Sequence, residues 1–285
     1  MIKLEHVVLA STEQMEFIIE GMRNPMNSWE KSDSEIKYES WHDMSGGEYV
    51  VGESDHDLMH RLAKAGTDHR KYMRMMPVYV RITAPLYWWK EFDTYKVGTV
   101  SNSCSTMHKI ADKEFTVEDF SCEHLLDGYM QESEYPTFEE TDGNEVFVTP
   151  ADVLEELIQI INFYRNKYLE TKDKKYWWQM IQLLPSSYNQ TRNVMVNYEV
   201  LANIYKSRKD HKLNEWREFC KWIESLPYSE LIVDSYNQLS ACKNDRTCDI
   251  RWAEDIFRNR GIKLTMEQIE AINAITLQNI KSKGE

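Results

Sequence analysis

The sequence predicts a mixed α/β fold, because short β-branched segments alternate along the chain with longer segments of helical apolar spacing. Strands are expected over residues 2–10 and 78–84, and a shorter strand is expected over residues 194–196. The chain has 285 residues, of which 42% are hydrophobic and 12% aromatic, so it can bury a large core. This length corresponds to one large domain or two ordinary ones.

The predicted helices begin at capping motifs, in which Ser or Thr stands three residues before Gln or Asp. The motifs are Ser11-x-x-Gln14, Ser54-x-x-Asp57, Thr149-Pro150-x-Asp152 and Thr265-x-x-Gln268. The first helix should end near Asn24-Pro25 and the second at Gly66, because Pro and Gly both interrupt helices. Apolar spacing predicts three more helices, which end at Leu184-Pro185, at Arg208 and at Leu226.

The remaining segments are expected to be irregular or to follow the main domain. Residues 28–52 contain the turn signal Ser45-Gly46-Gly47 and should form a loop, and residues 131–149 are acidic and rich in turns. Small helices are expected after residue 227. The predicted organisation is therefore one domain over residues 1–227, followed by a helical C-terminal extension over residues 228–285.

The acidic composition limits the classes of partner. The 47 Asp and Glu residues outnumber the 34 Lys and Arg residues, which gives a formal charge of −13 and repels the phosphate backbone of nucleic acids. No apolar run approaches the roughly 20 residues that span a bilayer, and the N-terminus lacks a signal-peptide pattern. The five cysteines are scattered, which does not suit a disulfide framework. We expect a cytoplasmic protein with neither nucleic-acid nor membrane partners.

The common catalytic and metal-binding motifs are absent from the sequence. It contains no GxGxxG after a strand, no GxxxxGKS/T, no GxSxG and no HExxH. His56 and His60 stand four residues apart on the second predicted helix, with Asp57 beside them, a spacing that suits a metal ion. A polar helix face is the simpler interpretation, because no Cys or third His stands at ligand spacing. We therefore expect no metal.

Two aromatic runs allow two interpretations. Tyr87-Trp88-Trp89 and Tyr176-Trp177-Trp178 can stack on a flat ring such as a flavin, or they can belong to the hydrophobic core. The sequence leaves both interpretations open, although adjacent aromatic residues in helices more often belong to the core.

Residues 84–96 and the following Asn102-x-x-Ser105-x-Met107-His108 form an unusual region of the sequence. This region resembles the signature of the flavin-dependent thymidylate synthases. In that family a small-Pro pair and a helix lead into Arg-His-Arg and on to Asn-x-x-Ser-x-Arg-Tyr. Here the Arg-His-Arg positions hold Thr94-Tyr95-Lys96, so that only Lys96 keeps a positive charge. The serine of the family motif corresponds to Cys104 or to Ser105, because the register can differ by one residue.

The C-terminal half of the predicted domain is also similar to this family. After Leu184-Pro185, residues Asn197, Asn203 and Arg208 hold the family's spacing. Glu199 stands where family members carry an Arg. The family's arginines hold phosphates of FAD and dUMP, a task that suits a planar and permanently charged group. The resemblance covers roughly residues 1–226.

The resemblance implies a fold, an activity and a set of site residues. The fold would be α/β (α+β), with a small central sheet flanked by helices, in a homotetramer with sites at subunit interfaces near residues 84–108. The reaction would transfer a methylene group from methylenetetrahydrofolate to dUMP, with FAD reduced by NADPH. Lys96, Asn197 and Asn203 would bind the cofactor, and Arg208, Ser105 and Cys104 would bind the substrate.

The missing arginines leave two hypotheses about function. In the first, the chain is a diverged enzyme of this type with altered or weakened ligand binding. In the second, it is a catalytically inactive homologue that serves as an oligomeric interaction or structural protein. The retained Asn197, Asn203 and Arg208 favour the first hypothesis, and the lost charges favour the second.

Overall fold

The computed structural model describes residues 2–38, 47–128, 136–139 and 145–234 of the chain. The chain consists of two compact units, Met1–Pro227 and Tyr228–Glu285. Only residues 228–234 of the second unit are described, so the helix expected after Thr265 lies outside the described residues. The helical character of the extension over residues 228–285 stays a prediction.

The described residues include eight strands and eight α-helices, and residues 230–234 are also helical. The strands are β1 (Lys3–Leu9), β2 (Glu35–Lys37), β3 (Glu48–Val50), β4 (Pro77–Pro85), β5 (Val100–Ser103), β6 (Thr137–Glu139), β7 (Glu145–Phe147) and β8 (Asn189–Asn197). The helices are α1 (Thr12–Arg23), α2 (Glu53–Lys64), α3 (Tyr72–Met75), α4 (Leu86–Phe92), α5 (Pro150–Thr171), α6 (Lys174–Leu183), α7 (Tyr198–Arg208) and α8 (Asn214–Glu224). Among these described residues, every helix is too short or too polar to span a bilayer.

Strands β1, β4, β8 and β5 form one antiparallel sheet in that spatial order. The central strands β4 and β8 pair along their whole length. β1 pairs with β4 at one edge, and its register shifts between Glu5 and Val8, where His6 has a positive φ of 51°. β2 pairs with β3, and β6 with β7, as separate two-stranded sheets.

The four-stranded sheet has one buried and one open face, as the alternation along β4 shows. Val78, Val80 and Ile82 are buried, whereas Tyr79 and Arg81 point to the opposite face and are exposed. An antiparallel sheet commonly has this arrangement, with one face on the core and one face open.

A cluster of buried aromatic residues connects α4 with α8. Trp88, Trp89 and Phe92 of α4 are buried together with Trp216 and Phe219 of α8. The ring centroids of Trp88 and Trp216 are 4.7 Å apart, a distance typical of packed aromatic pairs. The core interpretation of the first aromatic run is therefore correct for its two tryptophans.

The tyrosine of this run is also used inside the protein. The hydroxyl of Tyr87 donates a hydrogen bond to Glu215 of α8 and lies 3.1 Å from Ser121 Oγ. Burial and then this bond to Glu215 raise the pKa of Tyr87 to about 12. In the second aromatic run, Trp177 packs partly against the core between α5 and α6, whereas Trp178 is half exposed.

Most of the expected elements are confirmed. Ser11 accepts a hydrogen bond from the backbone amide of Gln14 at the start of α1, and Thr149 caps α5 in the same way. The strands expected over residues 2–10 and 78–84 correspond to β1 and β4. The strand expected over residues 194–196 is part of the longer β8 (Asn189–Asn197). The first residues of β8 are polar on both faces, so the alternation of apolar and polar residues that predicts a strand is visible only near its end.

The expected cap of α2 is wrong. This helix begins at Glu53, so Ser54 lies inside its first turn. The carboxylate of Asp33 accepts hydrogen bonds from the backbone amides of Ser54 and Asp55, at 2.8 and 3.1 Å. A residue distant in sequence therefore satisfies the amides that a local cap would otherwise bind.

Residues 28–52 are not only a loop. β2 and β3 pair within this range, and each has only three residues, too few to show a period of two. Ser45 and Gly46 of the turn signal lie outside the described residues. The acidic range 131–149 likewise contains β6 and β7.

Candidate functional site

The segment Thr94–Gly98, which follows α4, lies along α7. The hydroxyl of Tyr95 accepts a hydrogen bond from Arg208 Nε at 3.0 Å, at the C-terminal end of α7. Near the other end, Gly98 has a φ of +78°, and a methyl group on it would lie 2.8 Å from Asn197 Nδ2. Glycine is required here by the backbone angle and by the close approach. The segment thus connects two of the predicted site residues, Asn197 and Arg208.

Asn197 is the N-cap of α7. Its Oδ1 accepts a hydrogen bond from the backbone amide of Val200 at 3.0 Å, and its side chain is buried. The first task of Asn197 is therefore to begin the helix. Contact between its Nδ2 and a cofactor stays a prediction.

Arg208 is enclosed by groups of the same chain. Its Nη1 donates to Glu91 Oε2 at 2.6 Å, and its guanidinium lies over the ring of Trp216, 4.8 Å from the centroid. Trp216 Nε1 donates to the same Glu91 oxygen at 3.0 Å, and His211 Nε2 lies 3.5 Å from it. The arrangement combines an ion pair with a cation–π contact, which holds the guanidinium in one orientation.

Glu199, which stands where the family carries an Arg, is also paired. Its Oε2 lies 2.9 Å from Arg70 Nε, and its Oε1 lies 4.0 Å from Arg74 Nη2. Arg70 Nη2 also donates to Asn203 Oδ1 at 3.3 Å. Asn203 therefore belongs to a charge network that ties the segment before α3 to α7.

The predicted residues of α7 do not share one face. Asn203 and Arg208 are five residues apart, which places them about 140° apart around the helix axis. Different groups hold them, since Asn203 contacts Arg70 and Arg208 contacts Glu91. Lys96, in the segment along α7, is exposed to solvent.

Cys104 and Ser105 line a groove of about 460 Å³ at the end of β5 and β8. Its other lining residues are Lys3, Glu5, Thr83, Thr106, Lys113, Glu118, Asp119, Tyr188, Asn189, Gln190 and Thr191. A groove of this size is within the range of small-molecule sites. Both candidates for the family's serine thus face the same space, so the one-residue ambiguity of register does not change the location.

The backbone at Cys104 is fixed from both sides. Its amide donates to Thr191 O at 2.9 Å, and its carbonyl accepts from Gln190 Nε2 at 2.9 Å. Ser105 Oγ accepts from the backbone amides of Met107 and His108, which closes a tight turn. The Cys104 residue is exposed. The groove therefore offers a thiol and a hydroxyl on a rigid support.

Charges of both signs surround the groove. Lys113 Nζ lies 2.7 Å from Asp119 Oδ1, so this lysine is partly neutralised. Burial, and then the charge of Asp119, raise the pKa of Tyr188. The Tyr188 hydroxyl therefore stays protonated near neutral pH and can donate a hydrogen bond.

The sequence analysis did not identify Arg192, whose contacts hold residues that line the groove. Its Nε donates to Gln190 Oε1 at 2.9 Å, and its Nη1 donates to Asp93 at 2.7 Å. Its guanidinium also lies 4.1 Å from the ring centroid of Trp89. Arg192 orients Gln190, which in turn holds the carbonyl of Cys104. The sequence does contain a signal for this contact, because side chains alternate between the two faces of a strand. Gln190 and Arg192 therefore share the inward-facing positions of β8 with Val194.

The groove continues onto the open face of the sheet. A polar depression of about 420 Å³ is lined by Glu5, Arg81, Thr83, Asn102, Cys104, Thr191 and Asn193. A more apolar depression of about 490 Å³ is lined by His6, Val8, Tyr79, Val80, Arg81, Val100, Asn102, Asn193, Val194 and Met195. The open face is therefore polar at one end and apolar at the other.

Comparison with known proteins gives similarity at the level of structure. The sequence matches no protein-family model and no curated protein. The structure is similar to two crystal structures of thymidylate synthase X (ThyX) from Helicobacter pylori with FAD and dUMP, each at a TM-score of 0.52 and 16% identity. The first match covers 83% of this chain and 99% of that chain, and the second covers 82% and 98%. A UMP/dUMP methylase, PolB from Streptomyces cacaoi, matches at a TM-score of 0.49 and 12% identity, over 85% and 94%.

This similarity confirms the expected fold class. The chain has an α/β (α+β) fold with a small antiparallel sheet flanked by helices, like that of the flavin-dependent thymidylate synthases. At 16% identity the likeness establishes the fold alone.

Proposed function

We propose that this chain is a diverged relative of the flavin-dependent thymidylate synthases that binds a pyrimidine nucleotide such as dUMP, with weakened affinity for FAD and for the nucleotide phosphate. The observation that carries the proposal is the position of Thr94–Gly98 along α7. These are two segments in which the sequence resembles the family's ligand-binding motifs. The fold likeness to the Helicobacter pylori enzyme, whose structure contains FAD and dUMP, supports it.

The proposed roles follow the resemblance residue by residue. Arg208, Ser105 and Cys104 bind the nucleotide, and Lys96, Asn197 and Asn203 bind FAD. Two hydrogen-bond networks hold the nucleotide residues, one around Glu91 and one around Gln190. In a site that is completed by a neighbouring copy of the chain, these two networks would lie around the same nucleotide. An active protein also needs methylenetetrahydrofolate as the one-carbon donor and NADPH as the reductant.

The residues around α7 do not fit a tightly held diphosphate. Arg208 faces Glu91, Arg192 faces Asp93, and Arg70 faces Glu199, so a carboxylate of the chain already balances each guanidinium. A phosphate that approaches any of them must compete with that carboxylate. This pairing supports the weakened binding in the proposal, and we derive no catalytic step through FAD.

The expected loss of affinity is large. A hydrogen bond to a charged group contributes about 1.5 to 3 kcal/mol, although several such contributions do not simply add. Because each 1.4 kcal/mol corresponds to a factor of ten, losing several arginine contacts weakens FAD binding by roughly a thousandfold or more. A standard assay should therefore detect little or no dTMP.

The alternative function is that of an inactive homologue in an oligomeric assembly. The three internal ion pairs favour it, because they stabilise the scaffold without any ligand. Exposed apolar residues favour it as well. Val97 is 91% exposed and Val100 is 62% exposed, both within the region for which the resemblance implies a subunit interface. Under either function we propose that the chain forms a homo-oligomer. The resemblance to the family implies that this oligomer is a tetramer.

Titration of FAD and dUMP into the wild type and into Arg208→Ala separates these functions. The diverged enzyme should bind dUMP weakly, and Arg208→Ala should weaken that binding further. The inactive homologue should bind neither ligand at millimolar concentration. Tight stoichiometric FAD binding with normal dTMP formation would contradict the divergence, and dUMP binding unchanged in Arg208→Ala would contradict the assignment of Arg208.

A further inference from the structure

Helix α2 presents two histidines on one side. His56 and His60 are four residues apart, so they lie one turn above the other on the helix surface. Their ring centroids are 4.7 Å apart, and each offers a ring nitrogen within 4.8 Å of the other's. Both residues are half-buried, which restricts their rotamers.

The helix that carries them is held firmly. Asp55, directly before His56, is fully buried and forms an ion pair with Arg23 of α1. Met59, directly before His60, is also fully buried, and its carbonyl accepts a hydrogen bond from the Tyr72 hydroxyl at 2.8 Å. A fixed support lowers the entropy that two ligand side chains lose when they bind one ion.

We propose that His56 and His60 together bind one divalent transition-metal ion through one ring nitrogen each. Imidazole prefers Zn²⁺, Ni²⁺ and Cu²⁺, whereas Mg²⁺ and Ca²⁺ prefer oxygen ligands. Two histidines at positions i and i+4 of a helix converge on one ion, as in helices of the HExxH type. The missing third His, which led us to expect no metal from sequence, does not prevent a two-imidazole chelate, because water completes the coordination. This site is independent of the proposed nucleotide site.

The test is a calorimetric titration of the full chain, prepared without a histidine tag, with NiCl₂ and with ZnCl₂. His56→Gln and His60→Gln each remove one ligand and keep a polar side chain. His69→Gln and His108→Gln are matched controls, because both histidines are exposed and neither has another histidine four residues away in the sequence. We expect the wild type and the controls to bind one equivalent, and each α2 variant to bind at least about tenfold more weakly, since the second ligand no longer acts intramolecularly.

Cobalt absorption identifies the ligands independently. Co²⁺ bound by imidazoles lacks the near-ultraviolet charge-transfer band that a cysteine thiolate produces, so the exposed Cys104 is distinguished from the histidine pair. Circular dichroism shows whether each variant stays folded. Equal Ni²⁺ affinity in folded wild type and His56→Gln, or a thiolate band for the tightest site, would overturn the proposal. A wild type that binds no Ni²⁺ at millimolar concentration would overturn it as well.

Discussion

Arg208 Nη1 lies 2.6 Å from Glu91 Oε2, so a carboxylate of the same chain already neutralises this cation. The indole of Trp216 donates to the same oxygen at 3.0 Å and keeps the carboxylate in place. A ligand phosphate must therefore compete with Glu91 for Arg208. The ion pair acts as an internal competitor of the proposed ligand.

Replacing this carboxylate should strengthen nucleotide binding. Glu91→Gln keeps an oxygen that accepts from Trp216 but removes the competing charge. We expect dUMP to bind up to about tenfold more tightly, equivalent to about 1.4 kcal/mol, in a calorimetric titration. Glu170→Gln is the matched control, because it neutralises an exposed acid that pairs with Lys167 outside the proposed site. Weaker dUMP binding in Glu91→Gln than in wild type would contradict this prediction.

The buried ion pair between Arg23 and Asp55 should contribute strongly to stability. Both side chains are almost fully buried, and Asp55 Oδ2 also accepts hydrogen bonds from Ser32 and Ser34. Asp55→Asn leaves the Arg23 charge without its partner, so we expect a loss of about 3 to 5 kcal/mol in the free energy of unfolding. Urea unfolding measures it. The exposed Asp57→Asn on the same helix should change that free energy by less than about 0.5 kcal/mol.

The same pair predicts a dependence of stability on pH. Burial alone would raise the pKa of Asp55, but hydrogen bonds from Ser34, Ser32 and Arg23 outweigh it and hold the pKa below its ordinary value of 3.8. The unfolded chain therefore binds this proton first, so the stabilisation is complete above the ordinary pKa and is lost as the pH falls through the lowered one. The gap in unfolding free energy between wild type and Asp55→Asn should shrink over this acidic range. If the difference in unfolding free energy between wild type and Asp55→Asn does not change with pH, Asp55 is excluded as the cause of the pH dependence.

The approach of the Thr94–Gly98 segment to α7 should be sensitive to one methyl group. Gly98→Ala places a Cβ 2.8 Å from Asn197 Nδ2 and also strains a positive φ. Gly66→Ala is the matched control, because Gly66 has a φ of +102° but no atom within 4 Å of its Cβ position. In both variants the positive φ should cost about 1 to 2 kcal/mol of unfolding free energy. Gly98→Ala should lose more stability than Gly66→Ala, because its Cβ also meets Asn197. Equal losses in thermal unfolding would show that the segment does not pack closely on α7.

Self-association should depend on the exposed residues beside β5. We expect light scattering to show an oligomer of the wild type at micromolar concentration, and Val100→Lys to shift it toward smaller species, since a charge in an apolar contact is costly. Val117→Lys, at another exposed valine, should leave the oligomer intact. A monomeric wild type would contradict the proposed assembly.

The sequence predicts local features of this protein better than contacts between distant segments. Ser11 and Thr149 cap their helices within three residues, so their motifs are visible in the sequence. Asp33 caps α2 from another segment, and Glu91 meets Arg208 across a separation of 117 residues, so no local spacing reveals either contact. The resemblance singled out Arg208 as a ligand-binding cation, a role that stays a prediction, and only the folded chain shows the carboxylate against it.

The irregularity of β1 has a consequence for how copies of the chain can meet. An outer strand with regular unpaired amides invites another chain to extend the sheet, and unlimited extension leads to aggregates. The register shift between Glu5 and Val8, with His6 in the left-handed region, interrupts that row of amides. β5, at the opposite edge, has only four residues. Both edges of the four-stranded sheet therefore discourage its extension by a second copy of the chain, so the proposed homo-oligomer should form through other surfaces.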